Sequence, residues 1–477
     1  MMSFLGVAVE VVLVVGALAV LTADLIWEPP RRVLGVLTGA TLAVAAGFGW
    51  LQWDQTVRDG NASLQYSDMI ALDGYGALAG LVAIVVAAAA IAAAWSLIVE
   101  MEGRSAELIV LMLLATSGVH LMAASANFMV LFLGLEILSI SLYVMAGYTR
   151  NRAGADEAAL KYFLLGAFAS AVFLYGVALV FAGTGSLSVY GIAQFFVRSL
   201  VLQPAVLVAG LGLMIVGLAF KVSAVPFHMW APDVYQGAPG GLVGFMAAMA
   251  KLGGFAALGR VLVVAFESRI DDWGPVIAVV AVASVVIGTA LAIAQTDVKR
   301  MLAYSSVAHA GFILTGLLGA DLGSMWFYLA TYVFQVLGAF IVVSIISGPG
   351  SGPTPLTSLA GLGKSSPRLA ALMALFMLAM GGIPLTAGFV GKAAVFQAAI
   401  DGGYLWVVIV SLIATTAGLF FYLRVTVLMY MQDELTASTA RSDGPQRWSL
   451  AWCSGVTVVF GIVPWPLLNI VREALPL

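Results

Sequence analysis

Long apolar runs, separated by short polar segments, take up most of this sequence. Of its 477 residues, 62% are hydrophobic and only 9% are charged, whereas roughly 25% of residues are charged in a typical soluble domain. This shortage of charge excludes a water-soluble globule, and the excess of apolar residues excludes a disordered chain. Because about 20 apolar residues span a bilayer as a helix, the sequence predicts an all-α, polytopic membrane protein.

The apolar runs, bounded by charged, glycine or proline clusters, predict about fourteen transmembrane helices. The predicted spans cover residues 4–26, 34–53, 72–99, 106–124, 127–149, 157–182, 205–231, 240–266, 275–295, 300–319, 324–347, 369–399, 404–431 and 449–471. The connections between them are too short to fold as separate domains. The first span carries Glu10 and lacks both a basic start and a cleavage site, so we interpret it as a retained helix rather than a signal peptide.

Lysine and arginine residues outside the spans predict the orientation of the chain in the membrane. The loops after odd-numbered spans hold Arg31, Arg32, Arg104, Arg150, Arg152, Lys161, Lys299, Arg300, Lys364, Arg368, Arg424, Arg441 and Arg447. The loops after even-numbered spans hold Arg58, Arg198, Arg260, Arg269 and Arg472. We therefore expect the odd-numbered loops to face the cytoplasm and both termini to lie on the outer side.

Four charged residues lie inside apolar runs, where a charge at the bilayer centre costs about 2.5–3.5 kcal/mol. They are Glu136, Lys221, Lys251 and Lys392. The first three lie too deep for their side chains to reach the interface, so we expect them to have a function. Lys392 is off-centre, and we favour a functional role over simple snorkelling to the interface. Lys161 is only a few residues into its span, where snorkelling is sufficient.

Two of the predicted spans contain a helix break close to a lysine. In FKVSAVPFHMWAPDVYQGAP, Pro226 deprives the carbonyl of Val222 of its helical partner, and in MLAMGGIPLTAGFVGKAAVF, Pro384 does the same to Met380. A plain proline kink would explain either break alone. However, broken backbone at membrane depth is tolerated only where it is buried in protein or lines a wet cavity.

The two breaks, five spans apart, predict two five-helix repeats that surround an ion pathway. Because the repeat has an odd number of helices, the second unit is inverted in the membrane. We predict an N-terminal three-helix segment over residues 1–104, a first repeat over 105–270, a second repeat over 271–432 and a C-terminal helix over 433–477.

Histidine and cysteine are scarce in this chain. His228 and His309 share the membrane with the buried lysines, so we interpret both as proton-relay candidates, whereas His120 is more typical of a hydrogen-bonded core histidine. The single cysteine, Cys453, excludes an internal disulfide and a cysteine-rich metal site. A net charge of -3 gives no broad basic face for nucleic acid.

Several long segments carry a family resemblance, which runs from about residue 100 to residue 430. They are GLEILSISLYVMAGY, DEAALKYFLLGAFAS, FKVSAVPFHMWAPDVYQGAP and QTDVKRMLAYSSVAHAGF. They resemble the antiporter-like membrane subunits of proton-pumping NADH:quinone oxidoreductase, respiratory complex I. ALKYFLLGA and Lys392 are most similar to the subunit N branch, since subunit M typically has glutamate at the lysine position. GAPGGLVGF departs from the family, which usually has proline and threonine after GAP.

The resemblance implies a role for each candidate site residue. Glu136 and Lys221 would form an input ion pair, Lys251 would be the central proton carrier, and Lys392 would belong to the exit side. Lys161 would join the Glu136–Lys221 network. His228 and His309 would connect the lysines through water.

The resemblance also implies what surrounds the chain. We expect a multi-pass subunit in a bacterial inner membrane, with no cofactor or redox centre of its own, in an enzyme whose NADH, FMN, iron–sulfur clusters and quinone lie in other subunits. Its partners would be peripheral and membrane subunits, including neighbouring antiporter-like ones, together with membrane lipid and no nucleic acid. Two alternatives stay open, namely a subunit of a sodium/proton antiporter and a structural membrane scaffold, although buried charges argue against the scaffold.

Overall fold

The fold is taken from a computed structural model of the chain. It describes residues 2–101, 105–149, 153–199, 203–348, 352–433 and 442–474. Four arginines that contribute to the predicted orientation lie outside these residues, namely Arg104, Arg150, Arg152 and Arg441. Within the described ranges the chain is almost entirely helical, which confirms the predicted all-α fold.

The N-terminal part contains five helices and one small hairpin. The helices are α1 (Met2–Leu5), α2 (Ala8–Trp27), α3 (Arg31–Trp53), α4 (Gly74–Ala93) and α5 (Trp95–Glu100), and a π-helical turn (Asp54–Arg58) extends α3. Strands β1 (Ser63–Gln65) and β2 (Ile70–Leu72) pair antiparallel, with Leu64 opposite Ala71. Asp73 then caps α4 by accepting a hydrogen bond from the Gly76 N–H, which ends the hairpin and starts the helix.

The middle of the chain covers the two regions predicted to be repeats. The first contains α6 (Ser105–Ala124), α7 (Phe128–Ala146), α8 (Ala153–Thr184), α9 (Val189–Arg198), α10 (Pro204–Lys221), α11 (Trp230–Gly237) and α12 (Gly240–Leu258), which a π-helical stretch (Gly259–Ala265) extends. After a short 3-10 turn (Glu267–Arg269), the second contains α13 (Ile270–Ile293), α14 (Val298–Leu317), α15 (Leu322–Ser347), a 3-10 turn (Leu356–Leu359), α16 (Leu362–Ser365), α17 (Pro367–Gly381), α18 (Ala387–Asp401) and α19 (Leu405–Met431). The C-terminal helices are α20 (Gly444–Ile462) and α21 (Trp465–Glu473).

Each predicted span coincides with a helix or a helix pair. Among the described residues, 11 helices are long and apolar enough to cross a membrane, and α20 with α21 makes a twelfth if that pair, bent by 92°, is one span. The other two predicted spans are α14, which is rich in polar residues, and the α17–α18 pair, whose members have 15 residues each. The last predicted span bends between α20 and α21, and Pro464 and Pro466 lie at this bend.

Helices α12 and α15 form the centre of the molecule. In their apolar stretches 94% of the residues are buried, against 39% in α2, α8 and α19, which lie at the periphery. The same pairings recur in the two repeats. Helix α6 packs on α7 and α12, and α8 packs on α10 and α11; correspondingly, α13 packs on α14 and α19, and α15 packs on α17 and α18. This recurrence supports a duplicated unit, whereas the exact limits of the repeats stay predictions.

Candidate functional site

The first helix break leaves a backbone carbonyl that a buried lysine binds. Helix α10 ends at Lys221, and Ser223 has a positive φ of 59° before the chain resumes as α11. The Nζ atom of Lys251, on α12, donates to the carbonyl oxygen of Val222 at 2.9 Å. This carbonyl is the one that Pro226 was predicted to free, and Lys251, only 1% exposed, takes the place of the missing N–H.

The second break has the same chemistry. Helix α17 ends at Gly381, and α18 begins after two positive φ values, 83° at Gly382 and 69° at Leu385. Lys392 Nζ, on α18, donates to the carbonyl of Met380 at 3.0 Å and to that of Gly381 at 3.3 Å. It also lies 4.5 Å from the centre of the Phe312 ring, a cation–π distance. Lys392 is buried, so it does not snorkel to an interface within this chain.

Lys221 and Glu136 are neighbours without direct contact. Lys221 is buried, and its Nζ donates to the Ser139 hydroxyl at 2.8 Å. Glu136 lies one turn before Ser139 on α7, interacts electrostatically with Lys221, and has a buried Oε1 atom without a hydrogen-bond partner in the described structure. No N–O distance of 4.0 Å or less joins the two side chains among the described ion pairs. The structure therefore places Glu136 and Lys221, the predicted input pair, near each other, but their side chains do not form an ion pair.

His309 lies in a fully buried polar cluster between the two repeats' lysines. Its Nε2 atom lies 3.1 Å from the Tyr422 hydroxyl, and its Nδ1 atom lies 2.8 Å from the Tyr328 hydroxyl. The Tyr422 hydroxyl is in turn 2.5 Å from the Ser305 hydroxyl. Both Lys251 and Lys392 interact electrostatically with the imidazole.

Lys161 belongs to a separate polar site rather than to the Glu136–Lys221 network. Its Nζ atom contacts Glu157 at 2.7 Å and Asp233 at 2.9 Å, and Arg300 binds the other oxygen of Asp233 at 2.7 Å. These groups border an open cavity of about 470 Å³ between α8, α11 and the 352–353 segment. The Lys161 side chain is 44% exposed, as expected for a lysine that snorkels to the interface.

His228 stands apart from the lysines. It is half-buried, its Nδ1 atom has no hydrogen-bond partner in the described structure, and its ring centre lies 6.4 Å from that of Tyr304. No hydrogen bond between His228 and a buried lysine is present in that part of the chain, so a connection would need water.

Sequence reasoning missed one charged residue with a central place in the fold. Arg260, expected at a helix end facing the outer side, is fully buried and makes a bidentate ion pair with Asp73, with N–O distances of 2.6 and 2.7 Å. Its Nε atom also donates to the carbonyl of Ala123 at 2.7 Å. The apolar flanks in AALGRVLVVA were a signal of burial, because they match those around the buried lysines.

The structure offers no evident place for a metal ion within the residues it describes. No group of three or more histidine, cysteine, aspartate or glutamate side chains is arranged there as a ligand set. The side chains that make up the candidate site are lysines, a histidine and hydroxyl groups, which can hold and pass protons.

Comparisons with known proteins identify the relatives of this chain. Residues 125–418 match the family described as NADH:quinone oxidoreductase/Mrp antiporter, TM. NADH-quinone oxidoreductase subunit N of Mycobacterium bovis is 46% identical over 378 residues, 77% of this chain and 71% of that protein. Subunit N of Trichlorobacter lovleyi is 37% identical over 98% of this chain and 96% of that protein.

A solved structure of similar size extends the likeness to the whole fold. A chain of respiratory complex I from Thermus thermophilus, with bound aureothin, superposes with a TM-score of 0.84 at 33% identity, over 98% of this chain and 100% of that chain. The sequence motifs, the two lysine-bound helix breaks and these matches together mean that the chain belongs to the NADH-quinone oxidoreductase subunit N family, within the NADH:quinone oxidoreductase/Mrp antiporter membrane proteins.

Proposed function

We propose that this chain is a proton-translocating membrane subunit of NADH-quinone oxidoreductase, that Lys251 and Lys392 carry the protons, and that the charge of Lys221 controls them. The observation that carries this proposal is the position of Lys251 and Lys392, each of which is buried and donates to a carbonyl released by a helix break. The His309 cluster lies within electrostatic range of both.

A carbonyl partner suits a lysine that must change its charge. A lysine ammonium has three N–H donors, and a neutral amine keeps two of them. Lys251 can therefore keep its hydrogen bond to Val222 before and after it releases a proton. A carboxylate partner would hold the charged form much more firmly, because opposite charges attract strongly at low dielectric. The free carbonyl thus gives the buried lysine a hydrogen-bond partner in both its charged and its neutral form.

Lys221 is placed to control Lys251 through charge. In the structure it binds Ser139, and Glu136 lies three residues earlier on α7, about 4.5 Å along the helix at 1.5 Å per residue. We propose that Lys221 alternates between these two partners. Near Glu136, its charge is neutralised and Lys251 accepts a proton; when it moves away, its repulsion drives the Lys251 proton onward.

His309 and its hydroxyl partners would pass that proton toward Lys392. Each hydroxyl of Ser305, Tyr422 and Tyr328 can donate and accept, and the imidazole has one nitrogen of each kind when neutral. The cluster can therefore reverse the direction of its hydrogen bonds as a proton passes. Lys161 and His228 would act at the edges of this pathway, through water.

The energy for this cycle would come from partner subunits. We propose that NADH, FMN, iron–sulfur clusters and quinone bind to those subunits, and that neighbouring antiporter-like subunits contact this chain in a bacterial inner membrane with both its termini outside. An antiporter role is less well supported, because the relatives with 46% and 37% identity are subunit N proteins.

The test is Lys251→Met in the assembled enzyme. Methionine keeps the length and the apolar stem of lysine but has no N–H donor and no proton to exchange. In sealed membrane vesicles we expect proton pumping per NADH oxidised to fall about tenfold or more, since a positioned proton carrier commonly contributes at least that much.

The control for this test is an exposed lysine. Lys364 binds Asp433 at 2.7 Å on the surface, and this hydrogen bond raises the pKa of Lys364 and lowers that of Asp433. Lys364→Met should pump normally. Normal pumping in Lys251→Met would contradict the proposed function.

A further inference from the structure

A second buried titratable cluster lies where α2 and α3 meet α6, and the proposed pathway does not use it. His120 is only 1% exposed, and each of its ring nitrogens faces a different helix. Its Nδ1 atom lies 2.7 Å from Glu10 Oε1, and its Nε2 atom lies 3.1 Å from Gln52 Oε1. Gln52 Nε2 donates to the carbonyl of Leu5 at 2.7 Å.

The surroundings are shaped around this imidazole. A Cβ atom at Gly80, on α4, would lie 2.2 Å from His120 Cδ2, so only glycine leaves room for the ring. The second carboxylate oxygen of Glu10, Oε2, is buried and has no hydrogen-bond partner in the described structure. Four helices thus enclose a histidine–glutamate pair that still has one open acceptor.

The hydrogen bonds around His120 determine which atoms of this cluster carry a proton. The Leu5 carbonyl can only accept, so the amide nitrogen of Gln52 faces it and the amide oxygen faces His120. Because that oxygen also can only accept, His120 Nε2 carries a proton. The 2.7 Å contact between His120 Nδ1 and Glu10 Oε1 then needs one more proton, whichever of the two atoms holds it.

We propose that the Glu10–His120 pair is a proton-binding site that takes up and releases one further proton at Glu10 Oε2. With this proton bound, the imidazolium donates to Oε1 and Oε2 carries the second hydrogen, so the pair has a charge of +1. When the proton leaves to water, the pair returns to zero charge and keeps the same 2.7 Å contact. No side chain has to move in either step.

The position of the pair gives it a role on the release side of the first repeat, an inference that rests on the proposed function. Helix α12 and its π-helical extension run from Lys251 to Arg260, whose partner Asp73 lines the same narrow gap as His120, a gap with no room for a water molecule. The lysine and arginine distribution places this end of the molecule outside. A proton that leaves Lys251 along α12, by a second route parallel to the one through His309 and Lys392, would reach the pair before the outer surface.

The neighbouring ionisable groups are already engaged with one another. Arg260 binds Asp73 and the Tyr190 hydroxyl, the latter at 2.9 Å, and its guanidinium carbon lies 4.7 Å from the centre of the Tyr75 ring. The Tyr75 hydroxyl donates to the carbonyl of Ala256 at 2.8 Å. Among these groups, Glu10 Oε2 is therefore the acceptor best placed to bind an additional proton.

Glu10→Gln in the assembled enzyme tests the proposal. A glutamine amide can still donate to His120 Nδ1, so shape and hydrogen bond are kept while the exchangeable carboxyl proton is lost. We expect less proton pumping per NADH oxidised, and we expect a carboxyl C=O band, present in acid-minus-neutral infrared difference spectra of the unmodified enzyme, to disappear. If both measurements are unchanged, the pair is only a buried hydrogen bond and the proposal is wrong.

Asp24→Asn is the matched control, because Asp24 is on the same helix and its partly exposed carboxylate binds Arg31 at 2.9 Å. It should change neither pumping nor the infrared band. If Glu10→Gln does not assemble, Glu10→Asp keeps a carboxyl group but is too short to keep the contact with His120, so the frequency of the infrared band should change; an unchanged frequency would overturn the proposal. Loss of pumping in Lys251→Met with normal pumping in Glu10→Gln would reject this inference alone, whereas normal pumping in Lys251→Met would reject the proposed function.

Discussion

In both halves of the molecule a buried lysine donates to a carbonyl at a helix break, but the lysine comes from a different place in each. Lys251 reaches the α10–α11 break from the next helix, α12. Lys392 is part of α18, so it binds the end of its own broken span. A shift between α10 and α12 therefore alters the first contact, whereas the second depends only on the geometry within one span.

The polar neighbours of the two breaks differ as well. The first half has Glu136 on α7 and a second lysine, Lys221, at the end of the broken helix. The second half has His309 on α14, with tyrosine and serine hydroxyls around it. Under the proposed mechanism, the first break would respond to charge, and the second would conduct a proton that it receives.

Among substitutions that test the difference between the two halves, the largest effect on proton pumping is expected for Lys392→Arg. Arginine keeps the positive charge and can still donate to the Met380 carbonyl, but guanidinium does not release its proton. We expect the enzyme to assemble and to lose proton pumping by about tenfold or more, as for a removed proton carrier. Pumping per NADH oxidised in sealed vesicles, with assembly checked on a native gel, is the measurement. An arginine variant that pumps normally would remove Lys392 from the pathway and leave the second half without a carrier.

An intermediate effect is expected from the charges of the first half. Glu136→Gln removes the anion, and Lys221→Ala removes the cation, so each should lower pumping by itself. Because the two groups act as a unit, the double variant should be less damaged than the two losses added together, with a coupling of about 0.5–3 kcal/mol. The pumping rates of the four enzymes give this coupling directly. Fully additive losses would show that Lys221 and Glu136 act independently, and the contrast with the second half would lose its basis.

The smallest effect is expected for Tyr422→Phe in the second half. Phenylalanine keeps the ring but removes the hydroxyl that joins Ser305 to His309, and a typical hydrogen bond contributes about 0.5–1.5 kcal/mol. We expect pumping to fall by about twofold to tenfold while assembly is normal. Tyr430→Phe is the matched control, since Tyr430 is on the same helix and exposed. Equal pumping by the two variants would mean that the hydroxyl cluster is structural.

The sequence predicted the features that depend on local chemistry. Apolar length located the spans, and the missing N–H groups of Pro226 and Pro384 identified both breaks and the carbonyls they release. It could not predict that Lys251 would bind Val222, because this contact depends on how α12 packs against α10. Neither could it predict that Lys221 would bind Ser139 in place of Glu136, since both acceptors lie on one face of α7.

The pairs that could not be connected from the sequence are those whose two residues lie far apart in the chain. Glu10 and His120 are 110 positions apart, and Asp73 and Arg260 are 187 apart, so no spacing rule connects either pair. Arg260 was assigned to a loop because the positive-inside count treats every arginine as a loop charge, even when the residues on both sides of it are apolar. A search for ionisable residues with apolar residues on both sides would have placed it with the lysines.

The lysine acceptors at the two breaks are main-chain atoms, and this limits how the protein can be altered. A point mutation can delete a carboxylate acceptor, but it leaves a peptide oxygen in place, so the docking points of Lys251 and Lys392 are indifferent to the identity of the residues at 222, 380 and 381. A mutation can move the acceptor oxygens of these two lysines only by changing the backbone conformation at the breaks. The positions that set this conformation are the prolines and the positive-φ residues beside them. For protein engineering, the turn residues are therefore the tuning elements of the site, whereas Val222, Met380 and Gly381 are buried, so packing limits their exchange.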